Sequence, residues 1–412
     1  MPRYVIDEAA LVRNLEILKG VSDRTDVKIL LAQKAFSCAA VYPLCAKYLA
    51  GTTASSFFEA KHGHDNFGGE THVFAPAFVP EEMPELLRLV DHIVFNSPRQ
   101  VEKFGAAARA AGVSVGLRVN PEVSVATTPA YDPCRPGSRL GTTRAALEKF
   151  LGDNSQSATT NHQPPTTNHQ LPTTNHQLPT ISGLHFHCLC EQGLDELKKV
   201  LAGFEAKFGD LLPQMTWVNF GGGHHITRDG YDVEGLVALL LDFRRRYPHL
   251  TVYLEPGEAI ALNAGTLESR ILEIQPPDAE GVANAILDVS AACHMPDVLE
   301  MPYTPRVKVK GEGVKMKGDS GCLLSDVECP DPFTYRFGGP TCLAGDVIGE
   351  YSLAHPLHEG DTVIFEDMAI YSMVKNNTFN GVNLPDIVLR RLDGRLETLR
   401  TFDYADFASR LG

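Results

Sequence analysis

No stretch of this 412-residue sequence stays apolar for anything near the roughly 20 residues that a membrane-spanning helix requires. The amino-terminal residues, MPRYVIDEAALVRNL, place acidic side chains where a secretion signal keeps its apolar core, so a cytosolic protein is expected. Basic charge is in short supply. Thirty-seven Lys and Arg against 51 Asp and Glu leave a formal charge of -14, which disfavours nucleic acid as a partner. That balance is compatible with a cationic substrate. The nine cysteines are odd in number and show no CxxC spacing, so reduced thiols are expected rather than a disulfide framework.

What is present belongs to a soluble globular protein, with 43% hydrophobic and 21% charged residues and a length that suggests two domains. The stretch that organises the chain is VKILLAQKAFS, Val27 to Ser37. Its unbroken apolar run fits a strand buried on both faces, as in a parallel sheet. Lys34 then falls at the carboxyl end, where catalytic groups gather in a (β/α)8 barrel. A lysine there can lose its proton through burial and attack a carbonyl to form a Schiff base; alternatively it simply reaches solvent.

A short strand at Arg3 to Ile6 precedes that stretch, and Asp7 reads as the N-cap of a helix carrying Leu11, Leu15 and Leu18 at helical spacing. Helical patterns follow at Ala39 to Leu49, Pro84 to Val90 and Pro98 to Ala111. Strand-like runs recur at GTTASS, THVFAPA, DHIVFN, VGLRVN, GLHFHCL, WVNFGGG and VYLEPGE. Steady alternation means a parallel sheet with right-handed crossovers, and about eight units by residue 260 favour a closed barrel over an open sheet. The expected division is a barrel over residues 8–261 and a mainly antiparallel β-domain made of 1–7 and 262–412.

Two segments break the pattern. Residues 157–180 contain three near-copies of TTNHQLP, each with proline and no recurring apolar pair, so the expectation is a disordered low-complexity insert rather than a coiled coil. The insert lies between a helix and a strand, a connection found at the barrel's bottom, away from the catalytic face. Residues 307–332 read as an irregular surface loop.

The chemical residues follow the strands. Gly221, Gly222 and Gly223 after WVNF let backbone N–H groups approach an anion such as phosphate, although a plain turn fits equally well. Glu255, in EPGE, could pair with a cationic ring nitrogen. His185 and His187 share a strand face, and stacking of an imidazole on a planar cofactor stands beside the alternative of a packed barrel histidine. HFHCLCE lacks a second ligand pair and the repeat histidines are isolated, so no metal centre is expected.

Together these residues carry a resemblance. Lys34 after its strand, His187 in GLHFH, Gly221 to Gly223, EPG at 255–257, GGPTCLAGD at 338–346 and EDMAIYSM at 366–373 are similar to the ordered motifs of the fold-type III pyridoxal-phosphate-dependent decarboxylases, which include ornithine and diaminopimelate decarboxylases. LAQKAFS, GLHFHCLCE, CHMPDVLEMPY, GGPTCLAGDVIGEY and FNGVNLP most resemble the carboxynorspermidine/carboxyspermidine branch of that family. The resemblance implies an alanine-racemase-like TIM barrel with a C-terminal β-domain. It implies a homodimer with shared active sites and pyridoxal 5'-phosphate as cofactor. It makes Lys34 the cofactor's anchor, Glu255 the partner of its ring nitrogen and His187 its stacking group. Gly221, Gly222, Gly223, Gly257 and Tyr371 would hold its phosphate, with Arg139 nearby, and Cys342 of the partner subunit would return a proton to the substrate.

Ornithine decarboxylases carry Arg after EPG and Asp after GPTC, where this chain has Glu258 and Leu343. An acidic residue in place of a cation suits a substrate with extra amines, and Glu258, Asp297, Glu300 and Asp346 are the candidates to receive them. The reaction implied is decarboxylation of carboxynorspermidine or carboxyspermidine in polyamine biosynthesis. The alternatives are another basic or diamino acid, such as ornithine or diaminopimelate, and a non-catalytic cofactor-binding homologue.

Overall fold

The computed structural model describes residues 2–158, 180–309 and 333–412. The TTNHQ repeats, with His162, His169 and His176, and the segment with Cys322 and Cys329 lie outside the described residues. The chain divides into two compact units, one of Leu15–Lys34 with Cys38–Ala259, the other of Met1–Asn14, Ala35–Ser37 and Ile260–Gly412.

Strand β1 (Arg3–Asp7) opens the chain and belongs to the second of these units. Asp7 caps the following helix, Glu8–Thr25, by accepting from the Ala10 amide at 3.0 Å. Eight parallel strands then close a barrel: β2 (Lys28–Ala32), β3 (Gly51–Ala54), β4 (Glu70–Phe74), β5 (His92–Phe95), β6 (Ser114–Arg118), β7 (Gly183–His185), β8 (Trp217–Asn219) and β9 (Thr251–Leu254). Closure is made by β9 pairing with β2, Lys28 opposite Tyr253 and Ile29 opposite Leu254. Ile29 to Ala32 are all buried because barrel interior and helices cover the two faces of β2.

The crossover helices follow their apolar spacing. Pro98–Ala110 starts where the Ser97 side chain accepts from the Gln100 amide, and it buries Val101, Phe104 and Ala108. Val233–Arg246 is capped by Asp232, buries Leu236, Val237, Leu240 and Phe243, and ends on three arginines that suit the negative end of its dipole. Two expected helices are shorter than their patterns. Ala39 to Leu49 resolves into a 3-10 turn, Ala39–Val41, and a single helical turn, Tyr42–Cys45; Pro84 to Val90 gives only Met83–Leu86. Proline occupies the first turn of each, which permits a start, but the next strand begins a few residues later and leaves no room to extend.

The second unit is a nine-stranded sheet. Its remaining strands are β10 (Gly265–Ile274), β11 (Val282–Leu287), β12 (Val307–Val309), β13 (Phe333–Gly338), β14 (Val347–Leu353), β15 (Thr362–Glu366), β16 (Asp386–Arg390) and β17 (Leu396–Arg400). The main path runs β14-β13-β11-β10-β1-β16-β17, with β15 joining β10 to β12. The sheet is mixed rather than simply antiparallel, because β1 runs parallel to β16 and β11 parallel to β13. Both parallel pairs join segments far apart in the chain, which no local hairpin signal foretells. At 307–309 an ordered strand stands where an irregular loop is expected, with Val307 opposite Phe365 on β15. Tyr4, Leu267, Ile271, Phe337, Tyr351 and Phe365 form the core of this unit. Among the described residues no helix is long and apolar enough to cross a membrane.

Candidate active site

The carboxyl ends of β2, β6, β7, β8 and β9 bring one group of polar side chains to the mouth of the barrel. Lys34 lies two residues past the end of β2. Gln33 beside it is fully buried, donates to the Glu59 carbonyl at 2.8 Å and accepts from the Tyr42 hydroxyl at 3.0 Å, which turns it toward the helices. Lys34 lies within electrostatic reach of Arg118, Glu255 and Glu258. It has open surface, yet surrounding protein desolvates its ammonium. That burial, followed by the like charge of Arg118, pulls its pKa below the ordinary lysine value, and Glu255 and Glu258 oppose the shift.

Glu255 immediately follows β9 and is 9% exposed. Asn219 donates to its Oε1 at 2.8 Å, and His185 Nε2 lies 3.1 Å from its Oε2. Burial alone raises this carboxyl, but His185, His72 and Asn219 outweigh it and bring the pKa down to about 2. Burial in turn pulls His185 below the ordinary imidazole value, against the pull of Glu255. The two groups are joined by the His185 Nε2–Glu255 Oε2 hydrogen bond.

The glycines after β8 are required by space as well as by backbone. Gly221 and Gly223 have φ values of +70° and +87°. A Cβ on Gly222 would lie 2.0 Å from the Glu255 carbonyl oxygen, and one on Gly223 would lie 2.0 Å from that of Leu189. The Gly222 amide donates to His187 Nδ1 at 2.9 Å, so His187 carries its proton on Nε2. β7 ends at His185, and His187 sits just beyond it. Burial, then Lys34 and Arg118, push His187 well below the ordinary imidazole value. Gly257 is buried in the turn after β9. Glu258 follows it and accepts from His225 Nε2 at 2.8 Å.

Three residues join this cluster without a signal in the sequence reading. Arg118 is 5% exposed, lies over the Phe74 ring at 4.5 Å and donates to the His187 carbonyl at 2.9 Å. Asn219 bridges Glu255 and the Gly221 amide, which donates to its Oδ1 at 2.8 Å. His225 holds Glu258. Each is a single polar residue at the edge of a strand or glycine turn; its position after a barrel strand is the one clue. Arg139, by contrast, is exposed, and its backbone carbonyl accepts from Asn96 at 2.8 Å.

The other candidate residues belong to the sheet-containing unit. Cys342 is exposed, in the turn between β13 and β14, and its amide donates to Asn380 Oδ1 at 2.9 Å. Asp346 closes that turn. It is 4% exposed and accepts from the hydroxyls of Ser290 at 2.9 Å and Thr341 at 2.7 Å. Tyr371 has a positive φ of +53°, and its amide donates to the Ala35 carbonyl at 2.8 Å. Asp297 and Glu300 both pair with Lys375.

The residues at the barrel mouth fit pyridoxal phosphate. The glycine cradle leaves no room for side chains, as a backbone-bound phosphate needs. The ionised Glu255 suits a protonated ring nitrogen, and the burial that lowers the Lys34 pKa favours the amine form that a carbonyl cofactor needs. Residues 3–369 match the family model described as pyridoxal-dependent decarboxylase, C-terminal sheet domain. The chain is 39% identical over 412 residues to the carboxyaminopropylagmatine decarboxylase of Synechocystis, covering 100% of this chain and 95% of that protein. It is 39% identical over 409 residues to the carboxynorspermidine/carboxyspermidine decarboxylase of Campylobacter jejuni, covering 99% and 98%. The crystal structure of carboxynorspermidine decarboxylase complexed with norspermidine, from Campylobacter jejuni, superposes with a TM-score of 0.83 at 38% identity, covering 100% of this chain and 99% of that one.

Proposed function

The chain belongs to the pyridoxal-dependent decarboxylase family, and from that premise we propose that it removes CO2 from carboxynorspermidine or carboxyspermidine in polyamine biosynthesis. The observation that carries the reading is the set at the barrel mouth: Lys34, the glycine cradle, and Glu255 held ionised by Asn219 and His185. When bound, pyridoxal phosphate supplies the electron sink for the electron pair left as CO2 departs.

Lys34 would anchor the cofactor through its side-chain amine. Glu255 would keep a proton on the cofactor's ring nitrogen. His187, fixed by the Gly222 amide, would pack against the cofactor. The Gly221 and Gly222 amides already donate to Asn219 and His187, so the Gly223 and Gly257 backbone would receive the phosphate. Burial first, and then the charge of Arg118, lower the Lys34 pKa, and Arg118 also fixes the backbone at His187 through its carbonyl. Cys342 of the partner subunit returns a proton to the carbon that lost CO2, so the working form is a homodimer.

The substrate's remaining nitrogens need anionic partners. Glu258 stands at the mouth of the barrel, and Asp297 and Glu300 are further candidates once Lys375 is displaced. Asp346 is occupied by two hydroxyls, and its part is to shape the turn that presents Cys342.

Side-by-side assays of CO2 release test the reading. The panel is carboxynorspermidine, carboxyspermidine, carboxyaminopropylagmatine, ornithine and diaminopimelate. The carboxylated triamines should exceed ornithine and diaminopimelate in kcat/KM by roughly tenfold or more, because only their longer chains carry two further nitrogens for carboxylates such as Glu258. Preference for ornithine or diaminopimelate would overturn it. Preference for carboxyaminopropylagmatine, the substrate named for the Synechocystis relative, would move the assignment to a guanidine-ended substrate.

A further inference from the structure

The opposite, amino-terminal end of the barrel strands holds a second polar cluster, which touches the proposed site only through the electrostatic influence of His72 on Glu255. Glu70 is the first residue of β4, and His72 lies two residues on, so both side chains share a face. The parallel register of β4 with β5 sets His72 beside His92. Their rings stack with centroids 4.0 Å apart and planes 13° apart. His72 Nε2 lies 3.0 Å from Glu70 Oε2, and the Tyr253 hydroxyl donates to the same oxygen at 3.0 Å. Lys28 pairs with the other carboxylate oxygen, and its side chain is 44% exposed, against 1% for His72.

Two features of this cluster call for a ligand. Among the described residues the Nδ1 atoms of His72 and His92 are both buried without a hydrogen-bond partner, a state that is rare and costly for ring nitrogens. In addition, one donor atom each from Glu70, His72 and His92 lie within 4.8 Å of one another. Donors about 2.1 Å from a tetrahedral metal stand roughly 3.4 Å apart, and the near-parallel ring planes keep the in-plane lone pairs of His72 and His92 from meeting, so binding requires one imidazole to swing about its side-chain torsions as the donors close up. Two imidazoles and one carboxylate suit a divalent transition ion and not calcium or magnesium, which prefer all-oxygen sites.

We propose that Glu70, His72 and His92 form a binding site for a divalent transition metal of the zinc and cobalt class at the base of the barrel. The Tyr253 hydroxyl, already on Glu70, is the adjacent fourth group. Lys28 is the cation that balances Glu70 when the metal is absent. On binding, its exposed ammonium moves to solvent and the dication takes its place. The metal ties β4 to β5 at the end of the barrel remote from Lys34, so its role is structural. Glu70 and His72 share β4, while His92 lies twenty residues further on in β5, so the sequence shows no compact ligand motif.

The test uses the purified holoenzyme, stripped with a chelator, desalted and titrated with Co2+ while its visible ligand-field absorbance is followed. After dialysis, elemental analysis should find about one equivalent per chain, with a raised thermal midpoint. His92→Gln, whose ring is only half-buried and whose folding is checked by circular dichroism, should lose that equivalent. Lys28→Met, which removes the competing cation, should bind about tenfold more tightly. A wild-type protein that retains neither Co2+ nor Zn2+ would overturn the proposal. So would a folded His72→Gln/His92→Gln variant that retains as much metal as the parent, since the ion would then sit on other histidines such as His162, His169 and His176.

Discussion

At the scale of single residues, Glu255 has the most directly testable electrostatics. Its carboxyl is held at about 2, against an ordinary 4.5, so folding favours its ionised form. The stabilisation is fully present above pH 4.5 and is lost as pH falls through that interval toward 2. Glu255→Gln removes this linkage. The stability gap between parent and variant, measured by urea unfolding, should therefore be wide at neutral pH and narrow as the pH falls through that interval; a gap independent of pH would contradict it. The same substitution should lower kcat by roughly a hundredfold or more, because a neutral amide cannot hold the proton on the ring nitrogen. Lys34 gives a second test. Burial and Arg118 favour its neutral amine, so the holoenzyme should absorb in the visible and Lys34→Ala should not. Borohydride reduction followed by peptide mass mapping should place the cofactor on Lys34, and a label on another lysine would refute the assignment. Lys34 is legible in the sequence because it ends an unbroken apolar run. Arg118, Asn219 and His225 are not, because each acts through a partner thirty or more residues away, and one sequence carries no trace of that pairing.

At the scale of elements, the barrel was legible because most of its eight strands carry short apolar runs separated by helical spacing. What periodicity does not record is where a proline start leaves too little chain to extend a helix, as at Tyr42–Cys45, or which distant strands become parallel neighbours, as β1 and β16 do. The turn between β13 and β14 shows the same limit. Thr341 and Asp346 read as part of a motif, but Asp346 reaches Ser290 as well, a contact visible only in three dimensions. The repeat insert belongs to this scale too. It connects the helix Arg144–Ala158 to β7, a helix-to-strand link at the amino end of its strand, while Lys34, His187 and Glu255 follow carboxyl ends. Deleting residues 157–179 should leave kcat within a few-fold of the parent in the CO2-release assay. A loss of about a hundredfold, with the fold intact by circular dichroism, would mean that the insert reaches the catalytic face.

At the scale of the whole molecule, the proposed chemistry is split between two parts of the chain. Lys34, His187 and Glu255 belong to the barrel, and Cys342 belongs to the sheet-containing unit, exposed on a turn anchored by Asp346 and Asn380. An exposed thiol on a fixed turn suits delivery to a second copy of the chain, and a two-fold dimer would then build two identical composite sites. Lys34→Ala and Cys342→Ala homodimers should each be nearly inactive. In a mixed dimer with shared sites, one composite site carries both lesions and the other carries neither. Random exchange makes about half the dimers mixed, each with one good site of two, so about a quarter of the wild-type activity should return. The gain should grow with the mixed fraction measured by native mass spectrometry. If the heterodimers form and activity stays absent, Cys342 acts within its own chain or takes no part in the reaction, and the shared-site reading fails while the assignment of Lys34 stands.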